Sequence, residues 1–389
     1  MEKRPKVPRT VLVLGFVALA SGFGQDLISS VLPGYLALLA MSRAEIGLID
    51  GLLQGATNIF RFVSGWLSDR TQSRKRLAFF GYALSSIARP LLALASSFAP
   101  VVTLRIVDGI GKGTKDAPRD ALIADAAVSG GSGRAFGFHR MIDTAGSVFG
   151  PLLAFGLLAL LLPSLATYRL IFALAAIPGA VAIGLIWFGV REPAANARAV
   201  SPVAANLPWR FWAFTLAMAI ATLTKINDSL FLVRAQDLGI HPIYIPLLFG
   251  GFTLIYAALS YPLGILSDRI GKMPLLAAGW IVLAVVELGF SIDPGLPLTL
   301  MLFAGYGLFF ALTEGSGRAF IADTVKTAHQ GFAFGVYYTV LGLALILGGY
   351  VLGSVWDKQT PEVAFRLAAV GSLVGSFILY TLIPKPRRN

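Results

Sequence analysis

The sequence predicts an all-α membrane protein whose twelve spanning helices form two pseudo-symmetric six-helix bundles. Three observations carry this. The chain of 389 residues is 56% hydrophobic and only 13% charged, with a mean hydropathy of +0.75, too apolar for a soluble core of that size. Apolar runs of about 20 residues, enough to cross about 30 Å of hydrocarbon, recur along its whole length. The chain also repeats itself. Gly65-Trp66-Leu67-Ser68-Asp69-Arg70 returns 199 residues later as Gly264-Ile265-Leu266-Ser267-Asp268-Arg269. Ala124-Asp125 returns as Ala322-Asp323, and Arg134-Ala135-Phe136-Gly137-Phe138 lies over Phe332-Ala333-Phe334-Gly335-Val336, both 198 residues later. An offset of half the chain means two parallel copies of one apolar unit.

The spans are expected near 10–36, 46–68, 77–95, 98–118, 136–161 and 168–190, then near 209–232, 243–267, 273–291, 297–318, 332–354 and 364–383. The first follows Lys3, Arg4, Lys6 and Arg9, as the apolar region of a signal peptide would. It runs on through Leu39 without a small-residue cleavage pattern, so it reads as a retained span. Arg191-Glu192-Pro193 closes the sixth span, and Ala194 to Pro208 is short, polar and proline-interrupted. The expected units are a bundle at 1–190, a linker at 191–208 and a bundle at 209–389.

The net charge of +12 could suggest a polyanionic partner. Its distribution says otherwise: 21 of the loop lysines and arginines fall on the side of the N-terminus and 5 on the other. That bias places both termini in the cytoplasm and assigns the basic charge to topology, with a lipid bilayer rather than nucleic acid as the partner. Cysteine is absent and the three histidines (His139, His241, His329) are scattered, so no metal site is expected. No phosphate-binding loop or Ser-His-Asp pattern appears, so neither a cofactor nor an enzymatic activity is expected. Gly109-Ile110-Gly111-Lys112-Gly113 lies inside a span, where small residues let helices approach closely.

The repeat supplies an internal control. Arg105, Asp108, Lys112, Arg140 and Asp143 stand over Phe303, Tyr306, Phe310, Tyr338 and Leu341 in the second copy. The shared backbone therefore does not need these charges to fold, and ionisable groups inside a membrane are costly unless paired or functional. Coupling chemistry is expected in the first half, and an aromatic substrate surface in the second. The proton-coupling candidates are Asp26, Arg105, Asp108 and Asp143, with Asp26 foremost because no basic residue lies within a turn of it. The cavity candidates are Gln25, Asn58, Arg61, Arg140, Asn227, Asp228, Tyr306 and Tyr338. Arg140–Asp143 also reads as a structural ion pair, and Arg61 and Arg105 either hold an anionic substrate or poise a carboxylate. Asp50 and Glu287 are expected at the outer boundary, and Arg89, before Pro90, is expected to snorkel outward.

Gly65-x-Leu67-x-Asp69-Arg70 followed by Arg74-Lys75-Arg76 resembles the loop 2–3 signature of the major facilitator superfamily, and Gly264 to Lys272 is its second copy. Arg105-Ile106-Val107-Asp108-Gly109-Ile110-Gly111 resembles the fourth-helix motif of proton-linked members, and Gly146-x-x-x-Gly150-Pro151 the fifth-helix motif of antiporters. The chain departs from the pattern at Gln72, where glycine is usual, and at Ala154-Phe155, where a glycine pair is usual. The run from Gly111 to Asp125 is similar to that of a bacterial permease subgroup. The resemblance implies alternating access by a monomer in the bacterial inner membrane, with protons and a small-molecule substrate as partners. It implies a conformational latch at Gly65, Asp69, Arg70, Arg74, Gly264, Asp268 and Arg269; for the basic residues, plain anchoring of the loop is the competing reading. Proton-driven export of a small organic molecule is the favoured expectation. Six intramembrane basic residues suggest the alternative, proton-coupled uptake of an anionic metabolite. Metal-ion export through Asp26 and Asp228, and a non-transporting membrane sensor, complete the readings.

Single cysteines introduced at Ser201 and Ser97 of this cysteine-free chain should react with impermeant reagents from opposite sides of the membrane; labelling from the same side would contradict twelve spans.

Overall fold

The computed structural model describes residues 8–71, 73–126, 132–192, 207–326 and 329–381. Most of the linker, Gln72 and the basic terminal residues Lys3, Arg4 and Lys6 lie outside that set, as does the side chain of Asp69. Twelve helical rods follow one another among the described residues. Span 1 is Arg9–Ser29 continued, after a break, by Leu32–Leu38; span 2 is Arg43–Thr71, span 3 Arg74–Leu91, span 4 Phe98–Ala126 and span 5 Ser132–Leu161. Span 6 comprises Leu165–Leu174 and Ala176–Gly189, and span 7 comprises Trp209–Leu223 and Asp228–Asp237. Spans 8 to 12 are Ile245–Ile270, Lys272–Phe290, Gly295–Thr324, Gln330–Lys358 and Pro361–Thr381. Every expected span is present. Ten are long and apolar enough to cross a membrane on composition alone; spans 2 and 4 are the exceptions, diluted by the polar and charged residues they carry. Side chains such as Phe188 (85% exposed) and Leu160 (81%) stand on the outside, where only hydrocarbon would receive them.

The repeat extends to backbone conformation. Span 1 ends at Ala40 (φ 53°) and span 7 at Gly239 (φ 89°), one repeat length apart. In both, the next amide reaches back to close the helix, Met41 N to Leu36 O and Ile240 N to Ala235 O, each at 3.1 Å. This left-handed cap satisfies carbonyls that a helix end otherwise leaves orphaned.

An even number of spans puts both chain ends on one face, hereafter the terminus face. The two halves meet there and on the opposite face mainly along span 2 against span 11 and span 5 against span 8. At the opposite face the contact is backbone on backbone. A Cβ on Gly47 would stand 2.1 Å from the Gly349 carbonyl oxygen, one on Gly51 2.7 Å from that of Leu345, and one on Gly353 2.3 Å from that of Arg43. Small residues at four-residue spacing permit this approach. Polar bonds close the same seam. Asp357 of span 11 accepts from the amides of Arg43 (2.9 Å) and Ala44 (2.8 Å), capping the N-terminus of span 2 across the two halves. The Arg43 guanidinium donates to Asp237 at 3.0 Å, and the Asn227 amide to Gly47 O at 3.0 Å.

Span 4 runs on to Ala126, about two turns past its expected end, so Arg119 lies within the helix, and Lys115 is buried at 5% exposure. Its glycines set its place. Gly109 and Gly113 face the span 2 backbone, where added Cβ atoms would stand 2.5 Å from Leu53 O and 2.3 Å from Thr57 O, while Gly111 faces Ser85 of span 3. Span 4 is thereby wedged between spans 2 and 3, with its charged stripe turned to the centre.

Gly47→Ala should lower the melting temperature of the purified protein, since an overpacked crossing costs about 1–3 kcal/mol, and should raise labelling of cysteines on the opposite face. Gly156→Ala, with nothing within 4 Å of its Cβ, is the control; equal effects would contradict the seam.

Candidate functional site

Between the halves lies a cavity of 980 Å³. It runs from a deep end at Asp50, Arg105 and Asp228 to exposed Trp66, Asp120 and Gly331 at the terminus face. One face is sealed and the other open. Gln25, Asp26, Arg61, Arg105, Arg140, Asp143, Asp228 and Tyr338 line it. Asn58, Asp108, Asn227 and Tyr306 are not among its lining residues. Asn58 packs beside Gly342 of span 11. Asn227 caps the outer part of span 7, its side chain accepting from Leu230 N, while its amide ties span 2. Tyr306 is fully buried and donates to Asp228.

The structure departs from two expectations about depth. Arg89 does not snorkel. At 2% exposure its Nε donates to Asp108 at 3.0 Å and its Nη1 to Ser21 O at 2.9 Å. Arg105 reaches the other oxygen of the same carboxylate at 3.4 Å, so one carboxylate lies between two guanidiniums and the triad carries a net positive charge. Nor are Asp50 and Glu287 boundary residues. Glu287 is fully buried, accepting from Ile226 N (3.2 Å) and the Ser372 hydroxyl (2.7 Å). Asp50 is 7% exposed and accepts from Ser229 N at 3.4 Å across the halves. Both lie within two turns of a helix end; neighbouring spans, which single-helix depth ignores, cover them.

Asp26 is 6% exposed and forms no ion pair among the described residues; Gln25 Nε2 donates to it at 3.3 Å and Ser147 of span 5 lies against it. The glycines of the fifth-helix motif bring span 5 there. A Cβ on Gly146 would stand 2.3 Å from Leu19 O and one on Gly150 2.5 Å from Phe23 O. Arg61 pairs with Asp116 and lies over the Tyr338 ring at 5.2 Å. Arg140 stands 3.7 Å from Asp143, but its nearer partner is Tyr256 of the other half at 2.7 Å, and Tyr256 in turn donates to Glu314. Lys225 is 3.7 Å from Asp228 and sits 4.9 Å from the Phe310 centroid.

Lys115, Asp116, Tyr256, Glu314 and Arg318 also line the cavity and were not among the expected residues. The repeat could have found two of them, since Asp116 and Glu314 are 198 residues apart and acidic in both copies. At the terminus face the repeat pairs its own charges, Arg74 with Asp125 and Lys272 with Asp323. Arg70 lies over Trp66 at 5.4 Å, and a Cβ on Gly65 would stand 3.5 Å from that of Ala117. Gly264, Asp268 and Arg269 are exposed, and the latter two form no ion pair among the described residues. No group of three metal-ligating side chains occurs among the described residues.

A sequence profile of the Major Facilitator Superfamily matches residues 14–227 and 211–389. An uncharacterized MFS-type transporter of Methanocaldococcus jannaschii is 31% identical over 97% of this chain and 96% of its own length. A probable 4-methylmuconolactone transporter of Cupriavidus pinatubonensis is 25% identical over 92% of this chain and 86% of its own. Among solved structures, the nucleoside transporter NupG superposes with a TM-score of 0.80 at 16% identity, covering 96% of this chain and 100% of that one.

Asp108→Asn should destabilise the protein more than Arg89→Gln in a thermal melt. The first leaves two buried guanidiniums without their shared anion, a loss of about 3–5 kcal/mol; the second leaves a neutral pair. The reverse order would contradict a net positive triad.

Proposed function

Because the chain belongs to the Major Facilitator Superfamily, whose members are transporters and not enzymes, we propose that it is a proton-coupled secondary transporter of a small organic solute working by alternating access. The observation that carries the proton is Asp26, a buried carboxylate without an ion pair on the wall of a cavity open to one face. A carboxylate so placed exchanges a proton between two faces if the halves rock about it. The rocking units are the bundles 1–190 and 209–389, joined by 191–208 and acting as a monomer. The terminus face is cytoplasmic by the excess of loop lysine and arginine, so the described arrangement is open to the cytoplasm of an inner-membrane protein. The loop signature acts as the latch of the other state, with the carboxylates of Asp69 and Asp268 pairing with basic loop residues once that face closes.

Export was the sense suggested by Gly146 and Gly150, but their role in this fold is steric. They let span 5 meet the span 1 backbone, whichever way the solute travels. The charges favour the second reading, uptake of an organic anion with a proton. Among the described residues Lys112 lines the cavity and forms no ion pair, and Arg105 shares its one paired carboxylate with Arg89. Both sites are chemically suited to an anion.

In proteoliposomes, Asp26→Asn should abolish solute accumulation driven by a pH gradient by at least tenfold while retaining solute exchange, which requires no net change in protonation. Accumulation at the wild-type rate would move the proton to Asp108 or Asp143.

A further inference from the structure

The cavity walls differ in kind. On the first half, the Arg105 Nε is buried without an acceptor and Lys112 has no ion pair among the described residues. On the second half, the rings of Phe252 and Phe310 lie 6.3 Å apart and those of Tyr256 and Phe310 5.9 Å apart, all on the lining. These five residues stand between seven and fifteen positions from the opposite-face ends of their helices, a common band about 10–22 Å deep at 1.5 Å per residue. Donors and rings therefore face one another at the same depth.

Resting on the proton-coupled reading, we propose that the solute is an aromatic or similarly planar organic anion. Arg105 and Lys112 hold its carboxylate, Phe252, Phe310 and Tyr256 hold its ring, and it binds when Asp26 carries a proton.

The occupancy of the charges selects an anion over a cation. Asp26 apart, the lining carboxylates that could receive a cation are engaged: Asp228 by Lys225 and Tyr306, Glu314 by Arg318 and Tyr256, Asp116 by Arg61 and Arg119, Asp120 by Arg119, Asp143 by Arg140, and Asp50 by the Ser229 amide. The free capacity is on the donor side. The link to Asp26 follows from what surrounds it. Its own span supplies Gln25, which is also engaged by Arg89 of span 3 at 3.3 Å. Span 5 supplies Ser147 and Asp143, the latter paired with Arg140, and span 4 supplies Lys112 as the cation acting on it. Charged Asp26 compensates Lys112 and repels an arriving carboxylate. Once protonated, it leaves Lys112 without a counter-charge inside the membrane, and the solute carboxylate supplies one. Proton and anion then enter together.

The test uses the purified full-length protein and four probes of matched size or charge: 2-naphthoate, 2-naphthamide, 2-naphthylmethylamine and hexanoate. Binding is read by calorimetry at pH 5.5 and pH 8. The expected order places naphthoate at least tenfold tighter than the amide and hexanoate, with the amine weakest, and naphthoate tighter at pH 5.5. Lys112→Gln should erase the preference of carboxylate over amide and Lys112→Arg should restore it, while both keep the unliganded melting temperature. Asp26→Asn should bind naphthoate equally at both pH values. Binding of the amide or amine as tightly as naphthoate, loss of naphthoate binding in Asp26→Asn, or no binding by any probe would overturn the proposal. Proteoliposome flux separates its failure from that of the transporter reading: gradient-driven movement of the amine or amide would retain proton coupling and reject the anion site, whereas naphthoate binding without any flux would retain the site and reject transport.

Discussion

Charge inside a low-dielectric interior has to be compensated locally, and span 4 carries more of it than it can compensate alone. Arg105, Asp108, Lys112, Lys115, Asp116 and Arg119 lie within about four turns. Asp116 gathers Arg61 and Arg119, and Asp108 gathers Arg89 and Arg105. Lys115 has no carboxylate partner among the described residues; it bonds the Ser21 hydroxyl at 2.7 Å and lies 4.5 Å from the Tyr82 ring centroid. These pairs fix spans 1, 2 and 3 around span 4 and leave its excess donors on the cavity wall. The glycines of span 4 belong to the same arrangement, because without backbone-level contact to spans 2 and 3 the guanidiniums would not reach their partners.

The second half solves the same packing problem with rings. Tyr306 stands where the first copy has Asp108, and it packs among Phe231, Phe252, Phe309 and Phe310. One bundle contributes fixed charge and the other a polarisable apolar surface. The seams between them differ as well. On the opposite face glycine backbones touch and Asp357 caps span 2. Toward the terminus face the span 2–span 11 contact passes to rings, Phe62 against Phe332 at 6.3 Å, beside the open mouth. A contact of side chains can be remade with less backbone rearrangement than one of backbones, which suits that face to gating.

The spans, their order, the repeat and the split between a charged and an aromatic half were legible in the sequence, because apolar length and internal similarity are properties of the chain alone. Helix ends were legible to within about two turns, and the longest error, at span 4, moved Arg119 from a loop into the bundle. Cross-helix partners were not legible. Nothing in the spacing of Arg89 and Asp108 announces that spans 3 and 4 bring them together, so Arg89 read as a snorkelling residue. Glu287 read as a boundary residue because its partners, Ser372 and the Ile226 amide, come from spans 12 and 7. Of the site candidates, Gln25, Asp26, Arg61, Arg105, Arg140, Asp143, Asp228 and Tyr338 reached the lining. Asn227 did not, because the break in span 7 turns it into a cap.

The central claim is that Asp26 and a solute carboxylate alternate as the counter-charge of Lys112. Proton stoichiometry measures this directly. On adding 2-naphthoate to weakly buffered protein at pH 7.5 with a pH-sensitive dye, the account predicts net proton uptake approaching one per bound anion, absent in Asp26→Asn. Proton release on binding, or uptake that persists in Asp26→Asn, would contradict it.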